Sequence, residues 1–151
     1  MITSLRIKNF KCFANAAFTL RPLTVLTGLN GAGKSTVLQS LLLARQAASP
    51  VDRTVRLNGP YGLALGEAQE LLHPAAEHQE FDFRLHGDGE RPDAIWEYRF
   101  GIPHERALHL SVDDAPDQPP PGLDRPGSGF TYLRRTPRPP RPAERLGRAA
   151  R

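Results

Sequence analysis

The sequence predicts an α/β fold in which a glycine-rich loop connects a β-strand to an α-helix, flanked by an antiparallel β layer. Residues 23–27 form a mainly apolar, β-branched run that leads directly into glycine-rich sequence. Helix-forming residues then dominate from 34 to 48, and three later segments alternate apolar and polar residues with a period of two. At 151 residues the chain has material for one modest domain.

Three strands are predicted before the glycine-rich loop. Residues 4–10 place Leu5 and Ile7 in alternation with basic residues, as in a half-buried strand. A short second strand is expected at 18–20, followed by a break at the next proline. The run at 23–27 is suited to a buried central position because apolar and β-branched residues succeed one another there.

The helix after the loop is expected to be covered on most sides. Its apolar residues leave only a narrow polar stripe through Gln39, Ser40 and Gln46. The helix is predicted to end at Ser49-Pro50, since the residue before proline is pushed out of the α region.

The second half of the chain is expected to form an antiparallel sheet with one wet face. Trp96 and Tyr98 lie on the same side of one predicted strand and are interpreted as sheet packing rather than as a base-stacking platform. A helical turn or two is predicted at 67–72, and a short strand before the turn at 58–60. The expected strands are 55–57, 81–85, 94–100 and 108–112.

The loop has the Gly-x4-Gly-Lys-Ser/Thr pattern of a phosphate loop, or Walker A motif, in the required strand-loop-helix context. Polyphosphate needs several backbone N–H groups pointing at one spot, and glycines let the loop adopt the necessary torsions. The helix that follows offers unpaired N–H groups and a dipole that favours an anion. The predicted binding residues are Gly28, Asn30, Gly31, Ala32, Gly33, Lys34, Ser35 and Thr36.

Each polar residue at the end of this motif has an expected role toward a nucleotide. Lys34 would place its ammonium against the β and γ phosphates, and Ser35 would give its hydroxyl to Mg²⁺. Thr36 is positioned to bond an α phosphate oxygen. The alternative interpretation, a glycine-rich turn that merely precedes a helix, does not account for the whole pattern.

Residues 2–13, their spacing to the run at 23–27 and the loop form Gly-x-Asn-Gly-x-Gly-Lys-Ser resemble the N-terminal lobe of RecF/SMC/OLD-type AAA family ATPases. The resemblance extends over roughly residues 2–112. It implies a P-loop NTPase of ABC-like head architecture, an incomplete N-terminal lobe with an antiparallel β layer. It also implies binding of ATP and Mg²⁺, a second ATPase head across a dimer, and work on DNA or in phage defence.

The sequence departs from this family where hydrolysis is concerned. Hydrolysis requires a second acidic motif, and the nearest match, Leu110 to Asp114, is better interpreted as an exposed strand end. The signature motif is absent, and Gln69 is a candidate for a glutamine near the metal, against the alternative of a polar surface residue. No catalytic residue is assigned, and whether the chain is an enzyme stays open. The family comparison indicates the first part of a head.

The chain divides into a folded portion at 1–115 and a Pro/Arg-rich tail at 116–151, predicted to be disordered. Nine of the 15 prolines lie between 116 and 142, and residues 125–151 carry a charge of +7 against −3 for the rest. This tail has three interpretations: a nucleic-acid arm, a proline-rich ligand for a partner, or the product of a frame change. The composition favours the third.

Several classes of protein are excluded by what the sequence lacks. One cysteine, Cys12, cannot form an internal disulfide, and a cytoplasmic protein is expected because no signal-peptide pattern occurs. No apolar run approaches the roughly 20 residues of a membrane span, and the histidines form no zinc pattern. A small kinase is disfavoured because no lid or acceptor site is evident. The main alternative is a truncated fragment or small interaction protein that does not hydrolyse ATP.

Overall fold

The computed structural model describes residues 1–48, 53–59, 63–88 and 94–123. Within these ranges, six strands form one antiparallel sheet in the order β2-β1-β4-β5-β6-β3. Helix α1 precedes β3 in the chain, and a short 3-10 helix follows β3. The elements are β1 (Ile2–Phe10), β2 (Phe13–Thr19), α1 (Lys34–Ala47), β3 (Thr54–Arg56), the 3-10 helix (Ala68–Leu71), β4 (Glu80–Gly87), β5 (Ile95–Gly101) and β6 (His109–Asp114).

An aromatic cluster fills the inner face of the sheet. Phe83 of β4 lies opposite Ile7 of β1 and Tyr98 of β5, so the three strands direct apolar side chains to the same side. The rings of Phe10, Phe81, Phe83 and Phe100 stand 4.9 to 5.4 Å apart between centroids. Burial of this many rings supplies the main stabilisation of a small sheet. The predicted packing role of Tyr98 is confirmed.

The outer face of the sheet is charged and open to water, as the alternation predicted. Arg84 of β4 forms a salt bridge of 2.6 Å with Glu97 directly opposite on β5. Asp82 lies 3.6 Å from Arg99 and 3.9 Å from Lys8 on the two flanking strands. The two faces therefore follow the period of two that the sequence shows in β1, β4 and β5.

The prediction of a central strand at residues 23–27 is wrong. In the described part of the chain that segment pairs with no strand, and Leu23 and Val25 are 82% and 72% exposed. A central strand pairs with a neighbouring strand on each side. In this sheet β1 already pairs with β2 on one side and with β4 on the other, so residues 23–27 cannot pair with it. Apolar β-branched composition favours a strand but cannot supply the partners that it pairs with.

Helix α1 forms close to the predicted bounds but buries a different face. Ser40 is fully buried, because its hydroxyl donates to the Val37 carbonyl oxygen at 2.8 Å and so needs no water. Leu38 is 45% exposed instead. The predicted polar stripe is therefore wrong at Ser40. None of the helices in the described ranges is long and apolar enough to cross a bilayer.

The far end of α1 packs against the segment that follows β6. Arg45 is 6% exposed and donates a hydrogen bond to the Gly122 carbonyl oxygen at 3.1 Å. Leu123 is also buried in the core. The contacts of the folded part extend at least to this residue, and the predicted division into 1–115 and 116–151 stays a prediction. The Arg/Pro stretch beyond Leu123 lies outside the described residues.

Candidate nucleotide-phosphate site

The glycine-rich loop turns into α1 through left-handed backbone conformations. Gly33 precedes the first helical residue with φ 84° and ψ 9°, and Gly31 has φ 84°. A residue with a Cβ is strained in this region, whereas glycine adopts it freely. The predicted need for glycine at these two positions is therefore confirmed by the backbone.

Gly33 is also a point of close approach between the loop and the β1–β2 hairpin. A Cβ at this position would lie 2.5 Å from Cζ of Phe13 and 2.7 Å from Sγ of Cys12. These distances are shorter than van der Waals contact, so only glycine lets the hairpin approach this closely. The hairpin and the loop thus form one packed unit.

The start of α1 presents unsatisfied donors. The first helical hydrogen bond runs from the Val37 N–H to the Gly33 carbonyl oxygen at 3.1 Å, and the N–H groups of residues 33–36 meet no acceptor in the described ranges. No acidic side chain occupies the first turn of the helix. The positive end of the helix dipole therefore faces open space, which is the arrangement that binds an anion.

Lys34 lies over this loop. Its Nζ donates to the carbonyl oxygens of Gly28, at 2.8 Å, and Leu29, at 2.5 Å. Both acceptors are neutral carbonyl groups. The lysine is thereby held next to the unpaired N–H groups at the head of the helix.

The structure brings most of the predicted residues into one pocket of about 280 Å³. Gly28 and Ala32 belong to the loop but do not line this pocket. Two residues of the β1–β2 turn complete the wall. The lining residues are Lys11, Cys12, Asn30, Gly31, Gly33, Lys34, Ser35 and Thr36.

Lys11 and Cys12 are the pocket residues that sequence reasoning missed. They stand well before the loop in the chain, and only the approach of the hairpin to Gly33 brings them to the pocket. Nζ of Lys11 donates to Oε1 of Gln39 at 3.1 Å. Burial lowers the pKa of the Lys11 ammonium below its ordinary value of 10.5, while Glu70 and Cys12 oppose this shift. No local motif signals either residue.

Two other candidates from the sequence lie away from the pocket. Gln69 is exposed in the 3-10 helix, where its N–H donates to the Glu105 carbonyl oxygen at 3.2 Å, and it does not line the pocket. Its suggested place near a metal stays a prediction. Asp113 and Asp114 are exposed at the end of β6, as expected for a strand end.

The pocket residues fit a phosphate group and one ligand of a magnesium ion. Ser35 and Thr36 offer hydroxyls, and the pocket lining contains no carboxylate that would repel a phosphate. Mg²⁺ usually keeps several waters and is shared between substrate phosphates and one or two protein oxygens. The Ser35 hydroxyl matches such a role. No cluster of three or more metal-binding side chains occurs in the ranges described by the structure.

A glycine-rich loop at the head of a helix, beside an antiparallel sheet, matches a known family of domains. The AAA domain family matches residues 4–88, more than half of the chain, and the chain belongs to this family. The RecF/SMC/OLD-type resemblance and the incomplete, N-terminal ABC-like lobe predicted from the sequence are confirmed.

Two curated relatives refine this family membership. The chain is 38% identical over 85 residues to a DNA double-strand break repair Rad50 ATPase of Halobacterium salinarum, covering 56% of this chain and 9% of the relative. It is 39% identical over 57 residues to an OLD nuclease of Thermus scotoductus, covering 38% of this chain and 11% of the relative. The matches thus span about a tenth of the length of these relatives.

Proposed function

We propose that this chain binds ATP, together with Mg²⁺, through the loop at residues 28–36. The observation that carries the proposal is the set of acceptor-free N–H groups at residues 33–36, which lie beside the ammonium of Lys34. A polyphosphate satisfies these donors and this charge at once. Membership in the AAA domain family supports ATP over another polyphosphate.

In this proposal each polar residue of the loop contacts a different part of the bound MgATP. Lys34 exchanges its contacts with two loop carbonyl groups for the β and γ phosphate oxygens. The hydroxyl of Ser35 provides one oxygen ligand to Mg²⁺, and Thr36 bonds an α phosphate oxygen. Mg²⁺, when bound there, would neutralise part of the negative charge of the phosphates.

The same pocket favours binding over turnover by this chain alone. Hydrolysis of ATP requires an acidic group that polarises the attacking water, and no carboxylate lines the described pocket. We infer that hydrolysis needs groups from further polypeptide, such as a second ATPase head. The pure 151-residue chain is expected to bind ATP and to release phosphate no faster than the buffer background.

The relatives support a role linked to DNA. One of them is described as a DNA double-strand break repair ATPase and the other as a nuclease. We propose that this head serves DNA metabolism or phage defence as part of a pair of heads. Sedimentation of the chain with and without MgATP tests the pairing, since a nucleotide-dependent dimer supports it and an unchanged monomer contradicts it.

Calorimetric titration of the purified chain with MgATP tests the proposed binding. Lys34→Ala is expected to abolish measurable affinity, because its side chain serves the phosphates and not the core. Lys8→Ala is the matched control, since Lys8 is an exposed lysine on the outer face of β1 and is expected to leave affinity unchanged. Equal ATP affinity in a folded Lys34→Ala variant would falsify the proposal.

A further inference from the structure

Strand β2 forms one edge of the sheet, and its outer side pairs with no other strand in the described ranges. On its inner side it pairs with β1 in an antiparallel register, and just beyond it the Leu20 N–H donates to the Thr3 carbonyl oxygen at 2.7 Å. Hydrogen-bonded pairs alternate along such a ladder, so Phe18 and Ala16 also direct their main-chain N–H and C=O groups toward β1. The residues of β2 whose main-chain groups point away from β1, to the open edge, are Asn15, Ala17 and Thr19.

This open edge lacks the features that usually keep the edge of a sheet from pairing. Edge strands are commonly very short, bulged, or marked by proline or by charged side chains. Strand β2 has seven residues, FANAAFT, and contains neither a charged residue nor a proline. Strand β3, at the opposite edge, has three residues, of which one is Arg56, and it follows Arg53. Of these two edges, β2 is therefore the longer and the uncharged one.

The β2 edge is complementary to a second copy of itself. A two-fold axis through Ala17 places this residue opposite its own counterpart and Asn15 opposite Thr19, so the outward N–H and C=O groups of all three residues find partners. Such pairing comprises about six main-chain hydrogen bonds. The three side chains are small, uncharged and exposed, so no like charges oppose each other across the new ladder.

The core side of the same edge also suits a second copy. Phe18 lies opposite the buried Leu5, packs against the core and is only half-buried, with its ring 5.4 Å from that of Phe13. With the two-fold axis at Ala17, Phe18 comes opposite Ala16 of the second copy. A large side chain at the edge is thereby covered by a small one, and the reverse pairing occurs on the other side of the axis.

We propose that β2 is an interaction surface for a second copy of this chain, through which two sheets join edge to edge in antiparallel fashion. A contact confined to one pair of edge strands belongs to the small class of interfaces, below about 1,200 Å² in total, so the dimer is weak and depends on concentration. The pairing uses no residue of the phosphate pocket and requires no nucleotide. It is therefore independent of the proposed function and separate from the pairing of heads across MgATP.

Sedimentation equilibrium of the full chain without nucleotide, from micromolar to near-millimolar concentration, tests the association. The average mass is expected to rise from that of one chain toward that of two. Ala17→Glu is expected to weaken association by about tenfold or more, because two carboxylates then face each other at the axis. The new carboxylate lies opposite Arg6 of its own β1, which favours folding of the variant. Circular dichroism and thermal unfolding establish that the variant is folded.

Ala64→Glu is the matched control, since Ala64 is an exposed alanine outside β2. It is expected to associate like wild type. A wild-type chain that stays monomeric at every concentration overturns the proposal, and so does equal association of Ala17→Glu and Ala64→Glu. Lys34→Ala is expected to associate like wild type without nucleotide. Association that is lost in this variant would belong to the phosphate pocket and would overturn the edge contact, whereas its ATP affinity tests the proposed function separately.

Disulfide trapping locates the contact without relying on a charged variant. The Cα atoms of a hydrogen-bonded antiparallel pair lie about 5.5 Å apart, within the range that a disulfide bridges. In a Cys12→Ser background, Ala17→Cys is expected to form a covalent dimer under mild oxidation, and Ala64→Cys is expected to remain largely monomeric. Equal cross-linking of the two variants, or none with Ala17→Cys, would overturn the proposed pairing.

Discussion

The ammonium of Lys34 donates a hydrogen bond to the carbonyl oxygen of Gly28 at 2.8 Å, so the lysine spans the loop to which it belongs. The same nitrogen contacts the Leu29 carbonyl oxygen. These bonds hold the ammonium beside the acceptor-free N–H groups that begin α1. In the ligand-free chain the loop thereby carries its own cation at the place where a phosphate is proposed to bind.

Lys34→Ala should leave the free chain almost as stable as wild type. Hydrogen bonds from a solvent-accessible ammonium exchange with water, so the expected loss in free energy of unfolding is less than about 1 kcal/mol. The stabilisation by ligand should differ sharply between the two proteins. Wild type should gain about 2.7 kcal/mol in free energy of unfolding at a ligand concentration of about 100 times Kd, and the variant should gain almost nothing. Thermal unfolding with and without MgATP measures both effects. A variant whose melting temperature still rose with MgATP would contradict the assignment of Lys34.

Gly33→Ala should destabilise the fold, because the new methyl group meets Phe13 and Cys12 at 2.5 and 2.7 Å in a backbone with φ 84°. The left-handed conformation costs about 1–2 kcal/mol for a residue with a Cβ, and the clash adds about 1–3 kcal/mol. Urea unfolding measures the sum as a decrease in the midpoint.

Gly31→Ala is the matched control for this substitution. Gly31 has the same φ of 84°, but a Cβ there meets nothing within 4 Å. Gly31→Ala should lower the free energy of unfolding by about 1–2 kcal/mol, which is the cost of the left-handed conformation alone. Equal losses in free energy of unfolding for Gly31→Ala and Gly33→Ala would show that the hairpin does not contact the loop at Gly33. The structural basis for placing Lys11 in the pocket would then be removed.

Leu23→Ser and Val25→Ser test the unexpected exposure of the segment at 23–27. Both side chains are largely exposed, so each substitution should change the free energy of unfolding by less than about 0.5 kcal/mol. Leu42→Ala, at a helix residue that is 1% exposed, should cost about 2–5 kcal/mol. Denaturant titration compares the three variants. A loss above 2 kcal/mol at Val25 would mean that this segment is buried as a central strand after all.

The parts of the fold that the sequence predicts well are those determined by short-range pattern. Strands β1, β4 and β5 bury one face, so apolar residues recur at every second position and reveal the strand. The phosphate loop is also local, because its glycines, lysine and hydroxyls are adjacent in the chain. Strand β2 was predicted to be shorter, since its Ala and Asn residues give little apolar signal.

The features that the sequence did not predict depend on contacts between distant parts of the chain. The run at 23–27 has strand composition, but pairing requires neighbours that composition cannot specify. Lys11 reaches the pocket only because a hairpin turn meets Gly33. Ser40 is buried because its hydroxyl is satisfied within the helix, which a pattern of apolar and polar residues does not record. In each case the missing information is the position of a second element.

Tyr98→Phe should stabilise the chain and change its response to alkaline pH. The hydroxyl of Tyr98 is buried and has no hydrogen-bond partner in the ranges that the structure describes, so its removal should add about 1 kcal/mol to the free energy of unfolding. Burial also raises the pKa of this phenol above its ordinary value of 10.0. The folded chain therefore binds more protons than the unfolded chain above pH 10, and wild-type stability should fall as the pH rises beyond that value.

Urea unfolding of wild type and Tyr98→Phe between pH 8 and pH 11 measures both effects. The variant should be more stable throughout and should lose less stability above pH 10, because it lacks the group whose ionisation favours the unfolded chain. Parallel curves for wild type and Tyr98→Phe would mean that this phenol ionises as readily in the folded chain as in the unfolded one. Such a result would be incompatible with burial of its hydroxyl beneath the sheet.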